Sequence, residues 1–349
     1  MKNGILAAEG IISDRYGRRR GWVTAEDGVV TGMGDGDCPT DPDVTGFILA
    51  DTLNMHTHCA DYGLKVPEGM SLEELVAPPD GLKHRYLRET PADVLGGSME
   101  RFSSDSRSFG STSFVDFREG GVGGCRLLRS RCPDAVILGR PVSPEFDPEE
   151  VSAILDVADG IGISSVSDMD PAYIEQVADA VRERRMVFAI HVSERVREDI
   201  DFVLSLDPAF VVHMCEATED DMGKCAEAEV PVVVCPTSNL YFGRRPPIAL
   251  AQACGVDLAL GTDNGMLCRP DMVAEAAVFA EEAERQGGDP SDSLRALARL
   301  SRKILNAVKS NHVAAFPGPV AVLPAPDLDA VGAVRNGAER IILEQQRRI

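Results

Sequence analysis

"PAYIEQVADAVRERRMVFAIHVSE", residues 171–194, holds two different periodicities end to end. Over 171–185, Ile174, Val177, Ala178 and Val181 recur at the three- and four-residue spacing that lines one face of a helix. Pro171 stands where a first helical turn tolerates it. From Met186 the pattern changes: "MVFAIHVSE" (186–194) is continuously apolar up to His191, as in a strand buried on both faces of a parallel sheet. A helix that feeds such a strand is one half of a β/α repeat.

The same alternation extends in both directions. Eight strand candidates are "ADTLNMHTH" (50–58), "STSFVDFRE" (111–119), "AVILGRP" (135–141), "GIGISSVSD" (160–168), "MVFAIHVSE" (186–194), "AFVVHMCEA" (209–217), "VPVVVCPTS" (230–238) and "VDLALGTDN" (256–264). Helical stretches such as "EDDMGKCAEAEV" (219–230) and "PPIALAQACG" (246–255) lie between them, the latter closing on Gly255. The fold class predicted is α/β, a (β/α)8 TIM barrel. The rival, a doubly wound open sheet, lacks its glycine-rich dinucleotide loop after the first strand.

Both chain ends read differently. "RRGWVTAEDGVVTGMGDGD" (19–37) sets Asp-Gly between two β-like runs, and "GAVRNGAERIIL" (332–343) repeats the pattern with Asn-Gly, so each predicts a hairpin. The two would pair into one small β-domain, reached across the proline-rich stretch 317–327. The expected organisation is 1–46 and 313–349 in the small β-domain and 47–312 in the barrel.

Bulk composition narrows the function. The chain of 349 residues has no apolar run long enough for a membrane span and no N-terminal signal pattern, which predicts a cytoplasmic protein with no membrane partner. Nine cysteines, odd in number and with no Cys-x-x-Cys pair, argue for reduced thiols rather than disulfides or a zinc knuckle. A net charge of −21, with only six lysines, repels nucleic acid. The acidic residues are spread along the whole chain, as in proteins that work at high internal salt. Composition leaves open whether the chain acts alone or as a homo-oligomer.

A barrel carries its chemistry at the C-terminal ends of its strands. Four of the six histidines fall there: His56 and His58 close the first strand, His191 the fifth and His213 the sixth, with Asp263 at the end of the eighth. His56 and His58, two residues apart on a strand, share a face. A surface His-x-His beside a turn would read the same; the company of His191, His213 and Asp263 makes the difference. Three imidazoles and a carboxylate suit Zn²⁺ or Fe²⁺ with a position left open for water, which such a metal converts to hydroxide near neutral pH. Glu194, three residues after His191, is placed to act as its acid/base partner, or else is an ordinary acidic residue in a helix first turn.

"HTH", "HVSE", "VVHM", "CPTSNL" and "LGTDNG", in this order, resemble the amidohydrolase superfamily, in its cytosine deaminase-like and chlorohydrolase-like aminohydrolase branch. The resemblance runs from residue 47 to about 280, and the chain ends are similar to that branch's small β-sandwich. It implies one divalent metal held by His56, His58, His191 and Asp263. It also implies attack on the substrate by metal-bound hydroxide, Glu194 as proton shuttle, His213 polarising the substrate, and Asp263 accepting a proton as well as ligating. Members with two metals typically bridge them with a lysine on the fourth strand; "GIGISSVSD" has none, which implies a mononuclear site. The branch's C-terminal Gly- and Asp-containing pattern is not recognisable in "AAFPGPVAVLPAPDLDAVG" (314–332).

The activity implied is deamination of a small nitrogen heterocycle by hydrolysis of a carbon–nitrogen bond. Cyclic-amide hydrolysis, as in imidazolonepropionase-like members, is the enzymatic rival, and a noncatalytic metal-binding barrel the non-enzymatic one. Candidate substrate contacts are His84, in the basic cluster of "PPDGLKHR" (78–85), with Arg118 and Glu119 after the second strand and Arg140 after the third. A solvated basic patch is the plain alternative for 83–85.

Overall fold

The structure, a computed structural model, describes residues 4–14, 16–76, 80–298 and 318–345. It begins with β1 (Ile5–Asp14), β2 (Gly17–Glu26), β3 (Val29–Asp35) and β4 (Val44–Leu49). Asp27 and Gly28 join β2 to β3 with φ of 49° and 80°, the two positive angles of the hairpin turn that the sequence predicts.

A second sheet follows: β5 (Leu53–His58), β6 (Ser113–Arg118), β7 (Val136–Gly139), β8 (Gly160–Ile163), β9 (Val187–Val192), β10 (Phe210–His213), β11 (Val232–Val234), β12 (Leu258–Leu260) and β13 (Asp263–Asn264). All eight predicted strand stretches are found, the last as the two pieces β12 and β13. Every pairing in this sheet is parallel, in the order β12-β11-β10-β9-β8-β7-β6-β5-β13. The fold is thus mixed α/β around a curled, nine-stranded parallel sheet. Its two outer strands are consecutive pieces of one stretch, separated only by Gly261 and Thr262. Asn54 of β5 and Thr262 hold this seam reciprocally, Asn54 Nδ2 to Thr262 Oγ1 at 2.7 Å and Thr262 N to Asn54 Oδ1 at 3.0 Å. A Cβ on Gly261 would stand 2.7 Å from that of His56, so no other residue fits there.

Helices cover the outside of the sheet. Pro171–Glu183 starts as predicted: Asp170 accepts from the Ala172 N–H, Pro171 follows, and Ile174, Val177, Ala178 and Val181 are buried. Glu219–Glu227 opens on a capping box between Thr218 and Asp221. Strand residues alternate between two apolar clusters: Val187 and Ala189 point to the interior of the curl, Phe188, Ile190 and Val192 to the helices.

The C-terminal prediction needs correcting. β14 (Val320–Pro324) and β15 (Ile341–Leu343) do join β1–β4 in one six-stranded sheet, ordered β15-β14-β4-β1-β2-β3. But Asn336-Gly337 is no hairpin turn. A helix, Ala330–Arg335, capped by Asp329, fills the preceding segment, and Gly337–Glu339 forms a 3-10 turn. The Asn-Gly signal marks a helix end, because the flanking run "AVGAVR" packs Ala330, Ala333 and Val334, at i, i+3 and i+4, against the core. The expected boundary at 312/313 lies outside the described residues. Among the described residues no helix is long and apolar enough to cross a membrane, and all nine cysteines are free thiols.

Candidate metal centre and active-site cavity

The histidines reach one point because the strands break their own alternation. Leu53 and Met55 of β5 belong to the interior cluster, so simple alternation would send His56 outward. The β5–β6 register slips between Asn54 and Thr57, and this bulge brings the next ring inside as well: His56 packs 4.4 Å from Phe117 of the same cluster. His58, one pleat on, follows it. His191 continues the inward phase of Val187 and Ala189. His213 is in register with the outward Val192, but its φ of 77° turns the ring back, to 5.4 Å from His191 and 5.6 Å from His56. Asp263 also has a positive φ, 59°.

Two sets of ligand atoms, from His56, His58 and His191 and from His56, His213 and Asp263, each lie within 4.8 Å of one another. His56 Nε2 is 3.2 Å and His58 Nε2 3.5 Å from Asp263 Oδ1. Bonds of about 2.0–2.1 Å arranged tetrahedrally place neighbouring ligands ~3.3 Å apart, so these spacings fit a shared ion. His56 makes the same point: both its ring nitrogens are buried without a hydrogen bond among the described residues. Burial keeps the ring neutral, its pKa down at about 3, with its lone pair free.

Each remaining ligand is aimed by its other atom. His191 Nδ1 lies 2.8 Å from the Ile163 carbonyl, and His58 Nδ1 3.1 Å from the Phe117 carbonyl and 2.9 Å from Glu119 Oε1. Both interactions turn Nε2 toward the centre. Asp263 Oδ2 accepts from Ser238 Oγ at 2.5 Å and Asn264 Nδ2 at 2.8 Å, which leaves Oδ1 facing the histidines. Burial opposes charge on Asp263, but His56 and the other imidazoles outweigh it and hold the carboxyl well below its ordinary range.

Glu194 sits in a bend between β9 and the helix Ile200–Ser205, not in a helix first turn. Its Oε2 is 3.8 Å from His213 Nε2, and burial pushes its carboxyl above the ordinary range. Asn239 Nδ2 lies 3.1 Å from His213 Nδ1 and fixes the ring. The short helix Pro236–Tyr241 that carries Ser238 and Asn239 is itself tied down: Glu275 accepts from Thr237 N at 2.9 Å and Thr237 Oγ1 at 2.5 Å.

A cavity of about 210 Å³ opens beside this cluster. It is lined by His58, His191, Glu194, His213 and Asp263 on one side and by Lys83, His84, Glu119, Arg140, Ser164 and Ser165 on another, with Glu73, Asp168 and Arg195 also on its wall. Three of the four expected substrate contacts therefore line it. Arg118 does not: it is 2% exposed, locked between Asp116 and Glu119, and braces the strand end instead. Nor is the cluster at 83–85 a solvated patch. Arg85 is exposed, but His84 is half-buried with Nε2 3.0 Å from the Val76 carbonyl, and burial takes its pKa down to about 4. Lys83 is 4% exposed.

No family model matches the chain. An uncharacterised protein of Methanocaldococcus jannaschii is 31% identical over 327 residues, covering 86% of this chain and 84% of that one. A protein of Methanothermobacter thermautotrophicus named "Putative aminohydrolase" is 32% identical over 282 residues, covering 72% and 73%. The chain belongs to the amidohydrolase superfamily. An adenosine deaminase from Xanthomonas campestris with bound zinc shares the fold of this amidohydrolase, with a TM-score of 0.67 at 17% identity over 93% of this chain and 86% of the other. As an amidohydrolase the protein is an enzyme that hydrolyses carbon–nitrogen bonds, and its His/Asp cluster supports a divalent metal.

Four residues around this amidohydrolase cavity were not singled out from the sequence as individual candidates, Lys83 only as part of the basic cluster at 83–85: Lys83, Ser238, Asn239 and Asn264. Three of them stood inside the motifs "CPTSNL" and "LGTDNG". Lys83 carried a signal too, as one of six lysines in an arginine-rich chain. Its Nζ is 2.9 Å from Glu119 Oε1, 3.0 Å from Asn264 Oδ1 and 3.7 Å from Asp61 Oδ2.

Proposed function

We propose that the protein is a mononuclear, metal-dependent deaminase of a small nitrogen heterocycle. The observation that carries this reading is that His56 belongs to two clusters of ligand atoms, one with His58 and His191 and one with His213 and Asp263, with the half-buried carboxylate of Glu194 beside His213. The curled sheet is then a (β/α)8 barrel whose eighth strand is split at Gly261–Thr262. The terminal sheet is its companion β-domain, built from the two chain ends, with β4 carrying it past the expected 46/47 boundary to Leu49. The ligand set suits zinc or iron(II). A cavity of about 210 Å³ suits a single small ring system, being smaller than the ~300–1,000 Å³ of drug-sized sites.

His56, His58, His191 and Asp263 would hold a divalent ion, which would supply a Lewis acid able to lower the pKa of a water from 15.7 to roughly 7. The chain supplies the proton traffic. Asp263, through the Oδ1 that faces the histidines, accepts one proton from the attacking water. Glu194 takes the other and passes it to the ring nitrogen next to the attacked carbon, then carries the proton held by Asp263 to the leaving amine, so both protons of the water end on nitrogen. A carbon–oxygen bond forms, the exocyclic carbon–nitrogen bond breaks and ammonia departs. Burial keeps Glu194 ready to hold a proton between these transfers. His213, its Nδ1 side engaged by Asn239, presents Nε2 to the developing negative charge on the oxygen.

The test is ammonia release from metal-replete protein incubated with a library of amino-substituted heterocycles, repeated with Glu194→Gln. The variant keeps shape and polarity but cannot carry the proton, so turnover should fall by the upper part of ~10²–10⁴ with metal content and Tm near wild type. A variant that sheds its metal would make Glu194 a ligand; one that stays active would place the shuttle elsewhere. Product one mass unit heavier than substrate marks deamination, whereas ring opening adds a whole water.

A further inference from the structure

Among the cations on the cavity wall, only Arg140 is without a carboxylate partner. Lys83 is committed to Glu119 and Asn264, and Arg195 to Asp168 at 2.5 Å. Burial keeps His84 uncharged. Arg140, half-buried at the end of β7, makes one side-chain hydrogen bond, Nη2 to Ser164 Oγ at 3.0 Å. All 56 acidic residues of the chain lie in described segments, and none is paired with it. A guanidinium has five N–H donors in a flat fork, so most of this one points into the cavity unused.

The neighbours of Arg140 complete a pattern. Ser164 accepts from Arg140 and so keeps its own hydroxyl proton to donate. Ser165 lies next to it on the same wall. Both follow Ile163, whose carbonyl aims His191 at the metal cluster, so this corner lies beside the reacting centre. A surface of −21 net charge repels anions at a distance, and a half-desolvated cation left unpaired inside such a protein is costly until something fills its fork.

We propose that Arg140, with the hydroxyls of Ser164 and Ser165, forms an oxyanion-binding subsite, and that the substrate is a heterocycle carrying a carboxylate or phosphate. This rests on the deaminase reading for the identity of the ring but not for the anion. Each charge-assisted hydrogen bond contributes roughly 10- to 150-fold in affinity.

The experiment measures equilibrium binding of matched neutral and anionic pairs to the metal-replete protein: cytosine and cytosine-5-carboxylate, pterin and pterin-6-carboxylate, adenosine and adenosine 5′-monophosphate. Wild type should hold the anionic member of at least one pair ten-fold or more tighter. Arg140→Met should bring that ratio close to one, and Arg140→Lys should restore part of it. Which pairs respond separates carboxylate from phosphate. No preference in any pair, or a preference that survives Arg140→Met because the anion sits on the metal, overturns the proposal. Ammonia release is scored in parallel: anion preference without it sinks the deaminase reading alone, and ammonia release without anion preference sinks the subsite alone.

Discussion

Replacing Lys83 by methionine tests whether the helix Leu82–Glu89 is part of the catalytic architecture. The ammonium touches two residues that in turn hold the two ends of the seam. Glu119 connects it to His58, 2.9 Å on each side, and Asn264 connects it to Asp263, at 3.0 and 2.8 Å. Removing one partner of a buried ion pair costs about 3–5 kcal/mol, because the other charge stays buried. Lys83 and Glu119 have side chains 5% and 10% exposed, so solvent does little to soften the loss. Two features pull the estimate to the low end. Glu119 keeps Arg118 and His58, and Asp61, whose pKa burial already raises to about 6, is free to take a proton. We expect Lys83→Met to lose ~3 kcal/mol of stability in denaturant titration.

The second effect is specific to the site. His58 would lose the brace on its aiming carboxylate, and Asp263 the fixed amide beside it. Mutating such supports typically costs ~10–100-fold in metal affinity. Competition with a chromophoric chelator measures it. Arg85→Ala, two residues away on an exposed position, is the control and should change stability by less than ~0.5 kcal/mol. Lys83→Met/Glu119→Gln should recover part of the stability, since it no longer strands a charge. If Lys83→Met keeps its stability within the control's range and its metal affinity within two-fold, the buried Lys83 supports neither the fold nor the site, and the reasoning fails.

Metal content should approach one ion per chain by elemental analysis, and His58→Ala should lose most of it while His84→Ala keeps it; two tightly held ions would refute the mononuclear site. Melting temperature should rise with potassium chloride toward 1 M, where the Debye length is ~3 Å and the self-repulsion of −21 charges is screened. A flat or falling Tm would remove the case for adaptation to high internal salt.

Periodicity made the elements legible, and it failed where one residue of backbone decides direction. The alternation of helices and apolar strands located all eight strand stretches, and the strand-end positions of His56, His58, His191, His213 and Asp263 marked the site. What no pattern reveals is which face those side chains take. For His56 that depends on a bulge in β5, and for His213 on a left-handed backbone angle that no periodicity signals. The basic cluster at 83–85 left two readings open for a different reason. A Lys-His-Arg run looks solvated, and only the tertiary fold shows that the helix lays its lysine against Glu119 and Asn264 while Arg85 faces water. At the C-terminus, local turn chemistry at Asn336-Gly337 suited a hairpin, and the packing of Ala333 and Val334 overrode it.

Strain and support coincide in this site. Ser193, His213, Met214 and Asp263 all have positive φ, at the ends of β9 and β10 and at the split eighth strand. Such angles cost non-glycine residues about 1–3 kcal/mol each and persist only where the surroundings fix them. The surroundings do: Glu198 accepts from the Ser193 N–H at 2.9 Å, the Met214 N–H donates to the Val192 carbonyl at 2.9 Å, Asn239 meets His213, and Ser238 and Asn264 hold Asp263. These four strained residues at the site are each held in place by hydrogen bonds. Left to relax, His213 would turn toward the helices, where its register with Val192 would otherwise place it, and Asp263 would leave His56 and His58. The chain maintains an unfavourable backbone at the sheet's rim, which is the arrangement that keeps His213 and Asp263 beside His56.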